Sequence, residues 1–352
     1  MIQLLNICNF FNGKSKYLLL TFLFSSSCFS SSEINSFIEQ NKLYENSYWS
    51  KLLHYRNGSS EIDSNNFFIS KDGKTDLKKE LFETINSLES GQNDVLCRFP
   101  LRVKWLKQNI PQLKKNIVPY SCPKLNEYLG AIDAKQVTMV FPTAHINSPA
   151  SMYGHTFLRV SSDEETPLIS NAINYAAKTT DTNGFIFAYK GLFGEYEGRY
   201  SILPYYEKIK EYNNLEQRDI WEYDLDLKQD EIDRLVLHAY ELKDVYSDYF
   251  FFKENCSYNI LWLLEIARSD LDLVSHFSLK TVPLDSIKIL KPYNLIKDSK
   301  FRYSSMKKMK HILEEKIENK EYLDSFVNDN EPLNEALSID DKISYLDFKI
   351  SY

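Results

Sequence analysis

An α+β chain with a helical opening, a strand-rich centre and a helical tail follows from three features of the sequence. Apolar residues recur at helical spacing in Leu77, Leu81, Ile85 and Leu88, and again around Trp105. From Gln136 the texture changes: residues 137–141, 155–160 and 168–175 read as strands separated by turn-like segments. Helical spacing then returns in Ile232, Leu235, Val236, Ala239 and Leu242, and in Ile260, Leu261, Leu263, Leu264 and Ala267. With 352 residues, 43% of them hydrophobic and 26% charged, the chain can bury a sizeable core as one large domain or two smaller ones.

Taken in order, the first thirty residues hold no acid, two lysines (Lys14 and Lys16), the apolar stretch Tyr17 to Phe24 and then a serine-rich run. That order predicts a secretory signal over residues 1–27, too short in its apolar part for the ~20 residues of a spanning helix. Cys28 follows three serines, but Ser25 stands where a lipoprotein box expects a large aliphatic residue. Residues 28–130 are expected to form a helical N-terminal region, residues 131–275 a strand-bearing central domain and residues 276–352 a helical C-terminal region. Four glycines, Gly184, Gly191, Gly194 and Gly198, lie among aromatic residues, and such density predicts tight turns or close backbone approach. In the tail, Met306 to Lys310 opens a further charged helix that runs through Glu314 and Glu315.

The charge of −7 and the lack of a long Lys/Arg run set nucleic acid aside as a partner, because phosphate binding needs a positive field. Aromatic residues reach 14%, with 24 Tyr and 22 Phe, which permits a sugar, glycan or lipid-headgroup partner without implying one. No HExxH, paired CxxC or EF-hand loop occurs, so neither a metal nor another cofactor is expected. Gly73-Lys74-Thr75 resembles the end of a phosphate loop, but Phe68 replaces its leading glycine. His145 and His238 are read as solvent-facing or structural.

Cys8 and Cys28 lie in or beside the signal, leaving Cys97, Cys122 and Cys256 in the body. In an oxidising compartment Cys97 and Cys122 are expected to pair across a short loop, leaving one thiol for chemistry; the alternative is three reduced, buried cysteines. Asn255 is a good N-cap, so Cys256 falls at the first helical position, where the helix terminus favours the nucleophilic thiolate. His155, opening a strand after Gly154, is the candidate base, and Asn174 on the next strand can orient its imidazole. Spacing alone leaves open a buried structural cysteine and an unrelated histidine.

Histidine on a strand, a polar residue on the next, then cysteine opening a helix is the order of circularly permuted papain-like (NlpC-type) thiol enzymes, which place cysteine last in an Asn-Cys context. The chain resembles, more closely, the bacterial family of the Lnb N-terminal periplasmic domain, Lnb being the enzyme that makes lyso-form lipoproteins. The stretches that carry the likeness are residues 153–159, 174–177, 189–194, 218–223 and 254–258, with Leu96 to Pro100 and Cys122-Pro123 upstream. The resemblance implies a permuted papain-like domain over 131–275 and acyl transfer through a thioester at Cys256, with His155 as base and Asn174 as orienter. Tyr153, Asn255, Lys190, Tyr196 and Arg199 are the substrate-binding candidates. The expected setting is periplasmic or cell-envelope, the expected substrate an envelope lipid, a lipoprotein or peptidoglycan, with a membrane surface permitted as a partner and no obligate partner expected. Lipoprotein-modifying members carry membrane helices after this domain, and residues 276–352 contain no apolar run of that length. A peptidoglycan amidase or endopeptidase and a non-catalytic binding module are the competing expectations.

Overall fold

The computed structural model describes residues 31–117, 120–145, 154–162, 167–181, 183–277, 280–316, 320–328, 332–335 and 337–351. The expected signal, Cys8, Cys28 and Tyr153 lie outside the described residues.

The N-terminal region is helical as expected: α1 (Ser31–Asn41), α2 (Ser47–Leu52), α3 (Leu77–Glu89), α4 (Asn93–Arg98), α5 (Pro100–Asn109), α6 (Leu113–Asn116) and α7 (Pro123–Ile132). A small hairpin, β1 (Tyr55–Arg56) with β2 (Ser59–Ser60), interrupts it. Helix starts are marked by local chemistry. Asn46 accepts the Tyr48 N–H at α2, Asp76 accepts the Lys79 N–H at α3, and Pro100 and Pro123 open α5 and α7, where a missing N–H costs nothing. A disulfide joins Cys97 to Cys122, tying the α4 end to the start of α7 and leaving Cys256 as the free cysteine among the described residues.

Downstream come β3 (Gln136–Pro142), β4 (Phe157–Ser161), β5 (Asn171–Lys178), α8 (Gly184–Phe193), β6 (Tyr196–Pro204), α9 (Tyr205–Ile209), β7 (Ile220–Leu225), α10 (Gln229–Glu241), β8 (Tyr246–Tyr249), α11 (Cys256–Ala267), α12 (Pro283–Lys288) and β9 (Ile296–Arg302). Strands β3 to β9 form one antiparallel sheet in the order β8-β6-β5-β4-β3-β7-β9, so the fold is α+β. Side chains alternate across it. Val137, Met139, Leu158, Val160, Ile173 and Tyr175 join the main core with α10 and α11. Val140, Phe157 and Ala172 point the other way, into a smaller cluster with Tyr205, Tyr212 and Ile220. By the same alternation His155 shares a face with Phe157, and Asn174 with Ala172.

Two expectations are corrected. The tail is not wholly helical: β9 lies within it and pairs with β7. Its side chains between the two ends are all exposed, so its backbone bonds leave no apolar alternation for the sequence to show, while Lys297 and Lys300 sit on this sheet edge. The glycine-rich stretch is likewise not a run of tight turns: Gly184 and Gly191 lie in helix α8, Gly194 follows it and Gly198 lies in β6. Asn183 caps α8 by accepting the Phe185 and Ile186 N–H groups, and Gly194 ends it with φ 74°. Close approach was the correct part of that expectation, because a Cβ on Gly191 would meet the Phe251 ring at 2.2 Å. Beyond β9, α13 (Ser305–Glu315), α14 (Lys320–Asn328) and α15 (Ile339–Ser351) close a small separate cluster around Ile312, Leu323, Phe326, Tyr345 and Phe348.

Candidate active site

The nucleophile candidate is set by a helix start. Asn255 is the N-cap of α11: its Oδ1 accepts the Tyr258 N–H, and its Nδ2 donates to the Phe251 and Thr281 carbonyls at 2.9 and 2.7 Å. Cys256 is therefore the first residue of the helix, where backbone N–H groups lack helical partners and the dipole favours an anion. The thiol is 4% exposed.

His155 stands two residues before β4 and is half-buried. Its Nε2 lies 2.7 Å from the Asn174 Oδ1; with the imidazole N–H on that nitrogen, Nδ1 is left for the thiol. The Asn174 amide is in turn beside Ser201 on β6, Nδ2 to Oγ at 3.5 Å. Burial by itself pushes the Cys256 thiol up, but the His155 charge and hydrogen bond, the Thr156 backbone N–H and the Ser257 hydroxyl outweigh it. The result is a thiol held down at about 6, from an ordinary 9.0. A group so placed is a thiolate at neutral pH, paired with a base whose other edge is fixed by an amide. Cys256, His155 and Asn174, 101 residues apart between base and nucleophile, are thus brought together.

Sequence reasoning missed the residues that surround this trio. Ser257 and Thr156, each next in sequence to a trio member, hydrogen-bond to one another at 2.7 Å in full burial, joining the α11 start to the β4 start. Tyr249, at the end of β8, meets Cys256 through both its thiol and its backbone amide; burial first, then Cys256, pushes its phenol well above the ordinary range. Tyr212 packs its ring 5.7 Å from the imidazole. Adjacency to Cys256 and His155 was the available signal for the first pair; none existed for the tyrosines.

The other substrate-binding candidates stand apart from the trio in their contacts. Lys190 and Tyr196 both bond Asp181, at 2.9 and 2.7 Å, and Arg199 pairs with Glu197 while its guanidinium lies over Tyr246. All three polar positions of the Asn255 amide are engaged within the protein, as described above. A depression of about 680 Å³ lies elsewhere, beside Cys97, Cys122 and Tyr240. Among the described residues no cluster of His, Cys, Asp and Glu could hold a metal ion, and no helix is long and apolar enough to cross a membrane.

Residues 124–293 match the family described as the Lnb N-terminal periplasmic domain, and they contain Cys256, His155 and Asn174. That family indicates an exported or envelope location. Residues 41–109, within the helical N-terminal region, match a second family, a domain of unknown function designated DUF7843. Neither the curated proteins nor the solved structures contain a match to the chain.

Proposed function

From a chain whose residues 124–293 match the Lnb N-terminal periplasmic domain family, we propose a cysteine-dependent acyltransferase or acyl hydrolase of the cell envelope, built on a circularly permuted papain-like thiol fold. The observation that carries this reading is a thiol at a helix start, hydrogen-bonded to an imidazole that Asn174 orients.

The Cys256 thiolate attacks the carbonyl carbon of an acyl ester, and the carbonyl π pair moves onto oxygen. The oxyanion forms beside the α11 start, where the helix dipole favours negative charge. As it collapses, the imidazolium of His155 gives its proton to the departing alkoxide, leaving an acyl thioester and a neutral imidazole. An amine or water then loses a proton to His155 as it attacks the thioester, and the sulfur leaves as thiolate. Asn174 takes no proton; it keeps Nδ1 facing the sulfur throughout. An envelope lipid or lipoprotein is the favoured acyl donor, supported by the family and by the exposed apolar residues Phe185, Tyr189 and Phe193 on α8, whose Gly191 contacts the segment leading to Cys256.

The test is intact-mass analysis after incubation with diacyl phospholipid, with lipoprotein and with muropeptides separately. The expected product is a fatty-acyl adduct that hydroxylamine removes and that Cys256→Ala cannot form. A peptidyl adduct, or muropeptide cleavage without a fatty-acyl adduct, would replace the lipid reading with a cell-wall amidase.

A further inference from the structure

We propose that Tyr212 and Arg218 form a positioning clamp for His155, holding the face of its imidazole and the backbone from which it projects. The inference rests on the Cys256–His155 reading above and adds two residues that do not touch the reacting atoms.

Asn174 fixes only one edge of the imidazole ring, which leaves rotation about the His155 side-chain bonds to be restrained by something else. Tyr212 supplies a face: its ring centroid lies 5.7 Å from that of the imidazole, tilted by 39°, and 6.0 Å from Phe157 in a stacked arrangement. Tyr212 is 7% exposed and belongs to a π-helical turn, Lys210–Leu215, a rare wide coil that recurs at functional sites. Arg218 supplies the backbone anchor. Its Nη2 donates to the Pro142 carbonyl at 2.9 Å, and the same oxygen accepts the His155 N–H at 3.3 Å. Its Nε donates to the Thr143 carbonyl.

The two clamp residues are locked to one another. The Arg218 N–H donates to the Tyr212 carbonyl at 2.9 Å, and the guanidinium carbon sits 4.8 Å from the Tyr212 ring centroid. The guanidinium is 1% exposed, with Glu216 as its carboxylate partner. Gln217, directly before Arg218, takes a left-handed φ of 54°, a conformation disfavoured for a residue with a Cβ. A wide helical turn and a left-handed non-glycine residue, side by side, deliver one ring and one guanidinium to the base of a candidate active site. A guanidinium is suited to this task because its planar fork can serve two carbonyls at once, which an ammonium does less well.

The test reads the base through the nucleophile and needs no substrate. Iodoacetamide alkylation of the full chain is followed against pH on the Cys256 peptide by mass spectrometry. Wild type should show an inflection near the depressed thiol value. Tyr212→Leu should move it upward by about one pH unit, a loss of about tenfold in rate on the acidic side, while Tyr212→Phe, which keeps the ring, should retain the wild-type profile. Arg218→Lys should also move the inflection upward, and it decides the matter if Tyr212→Leu fails to fold. Unchanged profiles in Tyr212→Leu or Arg218→Lys would overturn the clamp, as would an equal shift in Tyr212→Phe and Tyr212→Leu. A wild-type inflection at the ordinary thiol position would overturn the Cys256–His155 reading itself, a different outcome from a depressed inflection that the variants do not move.

Discussion

Replacement of Asn255 separates helix capping from loop tethering at the nucleophile. Its Oδ1 caps α11 by accepting the Tyr258 N–H, worth about 1 kcal/mol. Its Nδ2 satisfies the Phe251 and Thr281 carbonyls, and removing a donor that leaves a buried acceptor unpaired costs about 1 kcal/mol each. Asn255→Ala should therefore lose about 3 kcal/mol, and Asn255→Ser, which keeps a capping oxygen, about 2 kcal/mol. Urea unfolding followed by tryptophan fluorescence measures both, since Trp262 lies in α11. A loss in Asn255→Ala below about 1 kcal/mol would refute the additive reasoning, showing that water or rearrangement satisfies the two carbonyls. Equal losses in the two variants would show that capping contributes nothing at this site.

Three further outcomes are expected. Replacing Cys97 and Cys122 by serine should cost about 3.5 kcal/mol from restored loop entropy, given a separation of 25 residues, read as a lowered urea midpoint. Because the fold depresses the Cys256 thiol from 9.0 to about 6, ionisation is favoured in the folded state. That contribution is complete above pH 9.0 and is lost as pH falls through about 6, so the stability advantage of wild type over Cys256→Ala should shrink across that window. Gly191→Ala drives a Cβ to 2.2 Å from Phe251, and overpacking of this kind costs about 1–3 kcal/mol. The displaced Phe251 lies five residues before Cys256, so alkylation of Cys256 should slow as well; an unchanged rate would show that the segment absorbs the shift.

What the sequence disclosed depends on how each element meets water. Helices α3 and α10 bury a periodic set of apolar residues, while α11 is buried on every side and β3 and β4 along nearly their whole length, so their apolar runs are visible in the residue order. The Cys256 position was legible because capping is local, decided by Asn255 and the apolar run that follows. Edge strand β9 was hidden because its stabilisation comes from backbone pairing with β7 rather than side-chain burial. His238 was read as solvent-facing or structural; it is fully buried, bonded to Glu241 at 2.8 Å and to His54, 184 residues away, at 3.0 Å. A polar partner at that separation has no period to reveal it. The Tyr212–Arg218 pair was hidden for a related reason, because one π-helical turn and one left-handed residue bring its groups together.

The contacts around α11 imply that residues 41–109 are part of the same folded unit as the candidate site rather than an independent preface. Trp262, less than two turns after Cys256, stacks on His54 at 4.7 Å and donates its Nε1–H to the Lys51 carbonyl. Tyr48 donates to the Ile266 carbonyl, and Tyr258 receives Arg56 and donates to Glu61. From the other side, the Glu241 carboxylate of α10 accepts the Leu101 and Arg102 N–H groups at the α5 start. Without residues 41–109, the Trp262 and Tyr258 rings would lose their cover and Glu241 its two amide donors. Each unpaired buried polar group would cost about 1–3 kcal/mol, together comparable with the whole stability of a domain. A chain starting at residue 120 should therefore show no cooperative urea transition and an ordinary alkylation profile at Cys256. A cooperative transition with the depressed inflection retained would show that the sheet and α11 hold the nucleophile without this N-terminal wall.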